Sequence, residues 1–308
     1  MRWKPLVAIA LGVASLLAAA PVAQADTSTL VIGARAQGMG SAFSAVGDDA
    51  TATFWNPAGL TQVRRTELNY SHWLLSDVSN VGVDFAAVTV PFAVRGLDAT
   101  VGISFARVGA ELEEGPAATT QDISDSRFSL SGGLRVVRFL SVGVSLNRLE
   151  VDSDRGSGAG FGFDAAVLVQ PFEEYDVRVA AVGKNLSGDV KNEDLNQSWR
   201  LGLAGAFWKE RVLLSADANL RRDINRHDGV TGLYYGGIEI TPHEVFSLRA
   251  GFGSESQYGV GFGVRHRGFA FDYAFSDDDE VLGNQHRFSV SLAFGPGGFG
   301  QSAKPAGS

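Results

Sequence analysis

From Thr66 onward the chain alternates residue by residue, and the kind of alternation restricts the fold. In "LDATVGISFARVG", Leu97, Ala99, Val101, Ile103 and Phe105 share one face, and Asp98, Thr100, Gly102, Ser104 and Ala106 share the other. "HRFSVSLAF" repeats the pattern, with Phe288, Val290, Leu292 and Phe294 opposite Arg287, Ser289, Ser291 and Ala293. A period of two is the signature of a β-strand. A soluble sandwich turns its second face to bulk water and fills it with Lys, Glu and Thr. Here that face carries Gly, Ser, Ala and single charges, which suits an apolar outer band around a crowded inner wall.

Fourteen such segments are predicted, centred near Tyr70, Phe85, Ile103, Leu130, Val144, Phe163, Val179, Leu201, Ala216, Tyr235, Leu248, Phe262, Phe271 and Val290. The number is even, as in bacterial single-chain barrels, and the connections alternate in length as theirs do. Short turns around "FAVRG", "VVRF", "PFEEY", "WKE", "TPHE" and "RHRG" follow the even-numbered segments. Longer polar loops follow segments three, five, seven, nine and thirteen: "ELEEGPAATTQDISD", "VDSDRGSG", "SGDVKNEDLNQ", "RRDINRHDG" and "SDDDEVLGNQ". Those after segments one and eleven are brief. Phe92, Phe139, Phe172, Tyr175, Trp208 and Phe246 gather at the short-turn end, as an interfacial girdle would. The predicted fold class is all-β: a 14-stranded antiparallel transmembrane β-barrel over 63–294, with a short N-terminal helical plug segment.

Residues 1–25 read as a secretory signal peptide: Arg2 and Lys4, an apolar run from Pro5 to Ala20, then Ala23-Gln24-Ala25 as a cleavage site. The run is too short for a bilayer span. Cleavage changes the net charge of -8 to about -10, because 24 basic residues then face 34 acidic ones. No basic tract remains to recruit nucleic acid. The chain has no cysteine, which excludes a disulfide scaffold or a cysteine-based metal or redox site and suits export. The tail 295–308, "GPGGFGQSAKPAGS", has a disordered composition.

Ahead of the strands stands "DDATATFWNPAGL". Asp48 or Asp49 is placed to cap a short helix that carries Phe54 and Trp55. Asn56 precedes Pro57 and so leaves the α region, and Gly59 permits a tight turn. A helix this short does not form alone in water, and two adjacent large aromatics are rarely left wet. Residues 26–62 are therefore expected to fold into the barrel's periplasmic end as a partial plug built on Asp49, Phe54, Trp55, Asn56, Pro57 and Gly59.

The run "GARAQGMGSAFSAVGDDATATFWNPAGL" resembles the N-terminal signature of the FadL-like outer-membrane proteins, especially their PorV/PorQ-like branch. The matching pieces are Gly33-Ala34-Arg35, Gly38-Met39-Gly40, Ala42-Phe43, Asp48-Asp49-Ala50 and Trp55 to Leu60. "LYYGGIEIT", "FSLRAGF", "GVGFGVRHRGFAFDYAF" and "HRFSVSLAF" resemble the same branch. The resemblance implies a 14-stranded barrel with its N-terminus inside, in the outer membrane of a Gram-negative-type bacterium, surrounded by outer-membrane lipids and inserted by the barrel assembly machinery. It implies passive transport of a hydrophobic small-molecule ligand or, alternatively, a PorV-like accessory barrel for a secreted protein partner. The family's fatty-acid transporters carry large apolar outer loops. Here the loops are short and acidic (Glu111, Glu113, Glu114; Asp152, Asp154; Asp277 to Glu280), and Phe294, where an assembly signal is expected, is internal.

Counting back from each turn sets single charges of opposite sign side by side on the inner wall: Asp164 near Arg178, Arg200 near Asp217, Glu239 near Arg249, and Asp272 near Arg287. Each is expected to form an ion pair between neighbouring strands. Other motifs carry little. Gly33 and Gly38 have phosphate-loop spacing, but Met39 stands where lysine is needed. Gly259, Gly261 and Gly263 read as a close-packed inner wall. Asp277 to Glu280 read as a solvated loop rather than a calcium site. Asn185-Leu186-Ser187 matches a glycosylation sequon, which carries little alone. The five histidines (72, 227, 243, 266 and 286) lack metal or catalytic spacing. No enzyme, no cofactor and no metal site is expected.

Overall fold

The computed structural model describes residues 30–75, 81–114, 119–153, 157–172, 176–190, 193–222, 230–254, 257–278 and 283–295. The expected leader (1–25) and all but the first residue of the tail lie outside them. Fourteen strands follow one another: β1 (Thr66–Leu75), β2 (Val81–Val94), β3 (Leu97–Glu114), β4 (Thr119–Val137), β5 (Leu140–Ser153), β6 (Gly158–Val169) and β7 (Asp176–Val190). Then come β8 (Ser198–Phe207), β9 (Val212–Arg222), β10 (Val230–His243), β11 (Phe246–Gly253), β12 (Tyr258–His266), β13 (Phe269–Asp278) and β14 (Gly283–Phe294). Each pairs antiparallel with its neighbours in sequence, and β1 pairs with β14 to close the ring. A two-residue strand, Glu193–Asp194, folds back onto the end of β7. A closed ladder has no edge, so the wall satisfies its own backbone groups.

Period two sets what each side of the wall meets. On β3, Val101, Ile103 and Phe105 are exposed on the outside, while Thr100 and Ser104 are buried within. On β14, Leu292 and Phe294 face out, and Arg287, Ser289 and Ser291 face in. Phe92, Phe139, Phe172, Trp208 and Phe246 are exposed around the short-turn rim; Tyr175 lies outside the described residues. Two of these turns, Arg95-Gly96 and Arg267-Gly268, have left-handed backbone at both residues (φ 50° and 82°, 48° and 92°), as a tight hairpin that follows the twist of its strands requires.

The opposite end departs from the prediction. "ELEEGPAATTQDISD" is mostly ladder rather than loop: β3 continues to Glu114, which pairs with Thr119 at the start of β4. β5, β7, β9 and β13 likewise run on into their expected loops, to Ser153, Val190, Arg222 and Asp278. Beyond an apolar band both strand faces meet water, so pairing continues although the apolar alternation stops.

Residues 30–63 lie inside the barrel, and Arg64 emerges at the rim beside Asp98. The enclosed residues form α1 (Ala34–Gly38), α2 (Ala52–Trp55) and a 3₁₀ turn, Pro57–Gln62. α1 is absent from the sequence reading. α2 starts later than predicted, and neither Asp48 nor Asp49 is its N-cap. Asp49 Oδ1 instead accepts the Thr51 amide at 2.9 Å, closing a turn ahead of the helix. Asn56 ends α2 in extended backbone, and its Oδ1 accepts the Ala58 amide at 2.9 Å. Pro57 then opens the 3₁₀ turn, where its missing N–H costs nothing. Gly59 serves close packing: a Cβ there would stand 2.5 Å from the Gly47 carbonyl oxygen.

Candidate functional site: the plugged lumen

The N-terminal segment is a compact apolar body in a polar sleeve. Trp55, Phe43, Met39 and Leu60 are fully buried. The Trp55 ring meets Phe43 and Phe54 edge-on, with centroids 6.0 and 5.8 Å away. Trp55 Nε1 donates to the Ile32 carbonyl (2.9 Å) and Asn56 Nδ2 to the Ser44 carbonyl (2.7 Å), which ties the second half of the segment to the first.

Glycines and hydroxyls on the inner wall make room for this body. A Cβ on Gly251 would collide with the backbone of Met39 and Gly40, one on Gly237 with that of Met39, and one on Gly259 with the Gln37 carbonyl. Across the lumen, a Cβ on Gly133 would come 2.6 Å from the Pro57 carbonyl oxygen, and one on Gly102 2.5 Å from the Thr53 methyl. Gly237, Gly251 and Gly259 therefore mark where the plug backbone lies, whereas a Cβ on Gly261 or Gly263 would meet β13 and Arg249, the close-packed wall expected of them.

Cations of the wall sit over the plug's rings. Lys184 Nζ lies 3.8 Å from the Phe54 centroid, and the Arg127 guanidinium is 5.4 Å from the same ring. The Arg200 guanidinium lies 4.7 Å from Trp55. Each such contact contributes on the order of 0.5–2 kcal/mol, more where water is excluded.

Two of the four expected ion pairs form contacts in the wall, and both also hold the plug. Arg200 Nε is 3.0 Å from Asp217 Oδ2; that oxygen also accepts the amides of Phe43 (3.1 Å) and Ser44 (3.0 Å), and Arg200 donates to the Ser41 carbonyl. Glu239 and Arg249 are direct cross-strand partners, 2.5 Å apart. Glu239 also binds Arg35 of α1 through two hydrogen bonds of 2.9 and 3.0 Å.

The other two pairings need correcting. Asp164 pairs with Arg127, at 2.7 Å, and accepts the Asn185 amide at 2.8 Å. Arg178 instead grips Asp176 at 2.6 Å and donates to Gln62 Oε1 at 2.9 Å. The turn count failed because Val169 pairs with Val179 and the ladder runs on regularly to Ala165 with Gly183, which sets Arg178 several rungs from Asp164. Asp272 is bound by Arg249 at 2.7 Å, across the glycines of β12. Arg287 turns to the plug: it donates to the Val31 carbonyl, and its guanidinium lies 3.9 Å from the Trp73 ring. Arg127 reaches Asp164 over β5, and Arg249 bridges Glu239 on the adjacent β10 and Asp272 beyond β12.

The centre of this network is Arg35, whose place in the Gly33-Ala34-Arg35 run gives no sign of its partners. It binds Asp48, Asp49 (3.4 Å) and Glu239. Burial disfavours the charge on Arg35, yet Asp48 and Glu239 outweigh it and raise its pKa well above the usual value. Burial also opposes ionisation of Asp48, but Arg35 and Arg178 hold its carboxyl below the usual range. Burial pushes Asp49 the other way, upward, with neighbouring Asp48 adding to the rise. The site is a proteinaceous stopper held by charge, by cations on rings and by backbone contacts over glycine.

No family model matches the chain, and no curated protein matches it. Among solved structures the fold is similar to the CymD monoaromatic hydrocarbon channel (TM-score 0.65, 14% identity, covering 85% of this chain and 97% of that one). The fold is that of FadL-like hydrocarbon channels. It is also similar to the toluene transporter TbuX of Ralstonia pickettii (TM-score 0.62, 12% identity, 85% and 97% covered). A FadL homologue of Pseudomonas aeruginosa gives a TM-score of 0.61 at 12% identity, with the same coverage.

Proposed function

We propose that the chain is an outer-membrane channel through which hydrophobic small molecules cross passively, with residues 26–62 as its plug. In this reading the leader directs export, the barrel assembly machinery inserts the barrel, and the short turns face the periplasm. The observation that carries it is the construction of the lumen. An apolar body fills it, bound to the wall by non-covalent contacts alone up to the point where the chain enters β1. A stopper held this way can shift without opening the strand ladder. The likeness to channels described as carrying monoaromatic hydrocarbons or toluene supports an apolar cargo.

A second reading, a PorV-like accessory barrel that docks an exported protein, draws on the paired extension of β3 and β4 to Glu114 and Thr119, since a stiff hairpin suits docking better than capture of a lipid. Reconstitution into liposomes separates the two. The channel reading expects toluene uptake above that of empty vesicles, raised further by Trp55→Ala with Pro57→Ala. Uptake equal to empty vesicles, with an exported protein co-purifying in native mass spectrometry, would favour the docking role.

A further inference from the structure

On the outside of the wall, one rung of the ladder runs Tyr70–Ala86–Phe105–Phe128 across β1 to β4. Ala86 is the small member of that row of rings, and a methyl group between two aromatic side chains leaves a notch. The adjacent outward rung towards the short turns is Leu68–Val88–Ile103. Together these seven residues border an apolar groove of about 400 Å³ on the barrel's outer face. That is within the size range of small-molecule sites.

The next outward rung, towards the long-loop end, is polar. It runs His72–Asp84–Arg107–Ser126. Asp84 Oδ1 accepts from the Tyr70 hydroxyl at 2.6 Å and lies 2.8 Å from His72 Nδ1, so donors beside it already engage this carboxylate. Arg107 is exposed; its Nε donates to Ser124 Oγ at 3.1 Å. Rungs two residues apart are separated by roughly 7 Å along a strand, so the apolar notch and the Arg107 guanidinium stand one above the other at the spacing of an amphiphile.

We propose that this groove seats one acyl chain of a phosphate-bearing membrane lipid, with the phosphate on Arg107. Charge and shape select that occupant. A notch one alanine wide accepts a chain rather than a flat protein surface, and a guanidinium is the side chain best matched to phosphate. The inference rests on the reading above that the wall faces a bilayer.

Native mass spectrometry of the full chain in detergent tests it, with phosphatidylglycerol and diacylglycerol of identical chains as probes. The wild type should retain one phosphatidylglycerol in preference to diacylglycerol. Ala86→Phe, which fills the notch, should lower retention of both by about tenfold, the equivalent of losing contact with roughly two methylenes. Arg107→Gln should leave diacylglycerol unchanged and abolish the preference. Ala86→Leu should fall between wild type and Ala86→Phe, and heat-modifiable mobility on gels checks that each variant is folded. Equal retention of the two lipids by the wild type, or undiminished binding by folded Ala86→Phe, would overturn the proposal. Neither Ala86 nor Arg107 touches the plug, so both variants should take up toluene like wild type. Failure of uptake by the wild type itself would count against the channel and not against the lipid site.

Discussion

The first half of the plug, Ile32 to Ser44, and its second half, Thr53 to Gln62, lie in one lumen yet are held differently. The first is gripped by charge and by close backbone contact: Arg35 on Glu239, the amides of Phe43 and Ser44 on Asp217, and Gly40 against Gly251. The second also lies closely over wall glycines, where a Cβ on Gly143 would collide with the Ala58 amide, but its polar contacts are made by neutral groups of its own: hydroxyls, carbonyls, rings and the Gln62 side chain. Ser131 Oγ donates to the Thr53 carbonyl (3.2 Å), Thr61 Oγ1 is 2.8 Å from Ser141 Oγ, and Phe54 lies under Lys184. The second half also leads directly into β1 at Thr66, so the chain itself tethers it. The difference teaches which end is built to leave. Ionic contacts in a low-dielectric lumen are strong when complete and costly when broken, so on the channel reading the first half should leave as a unit and the tethered second half should act as its hinge.

The largest effect should come from Gly251→Val, which sets a branched side chain against the Gly40 amide. The first half should fail to seat while the ladder remains closed, and limited proteolysis should cut ahead of Thr53 in a barrel that stays heat-modifiable on gels. Uncut plug in that variant would break the comparison. Glu239→Ala comes next, because it leaves Arg35 and Arg249 buried with one carboxylate fewer; the expected loss is about 3–5 kcal/mol, read as a lower unfolding temperature of the folded barrel. Thr61→Val in the second half removes one neutral hydroxyl, which bonds the Ala58 carbonyl and Ser141 Oγ, and should cost about 1–2 kcal/mol, with no change in protease access.

Smaller and of opposite sign are two substitutions beside Arg35. The depressed pKa of Asp48 means that its contribution is present above the unfolded value of about 3.9 and is lost as pH falls through the folded one. The raised pKa of Asp49 means that its contribution is present below that value and is lost as pH rises through the folded one. At neutral pH, Asp48→Asn should therefore loosen the plug and Asp49→Asn tighten it. Shifts of the same sign in protease resistance would contradict the charge account of the first half.

What the sequence discloses follows from how local each signal is. Period two is written in adjacent residues, so the fourteen strands and their inward and outward faces could be read directly, as could turns such as Arg95-Gly96. Where strands leave the apolar band the alternation ends while the pairing does not, and Glu111 to Glu114 therefore looked like loop. Glu239 with Arg249, an opposed cross-strand pair, was legible from turn counting. Asp164 with Arg178 was not, because the β6–β7 ladder begins at Val169 with Val179, and no local pattern in the connection states that register. Arg35 and Glu239 are 204 residues apart, and only closure of the barrel brings them together.

The central claim is that the first half of the plug must move for cargo to pass. The chain has no cysteine, so a pair introduced as Ala34→Cys with Ser289→Cys can be oxidised selectively, at a point where the Ala34 amide and Ser289 Oγ lie 2.8 Å apart. Toluene uptake by reconstituted protein should be lost when the pair is oxidised and restored by reductant, with neither single variant affected. Uptake unchanged in a fully cross-linked barrel would show that cargo passes without plug movement, and would contradict the account.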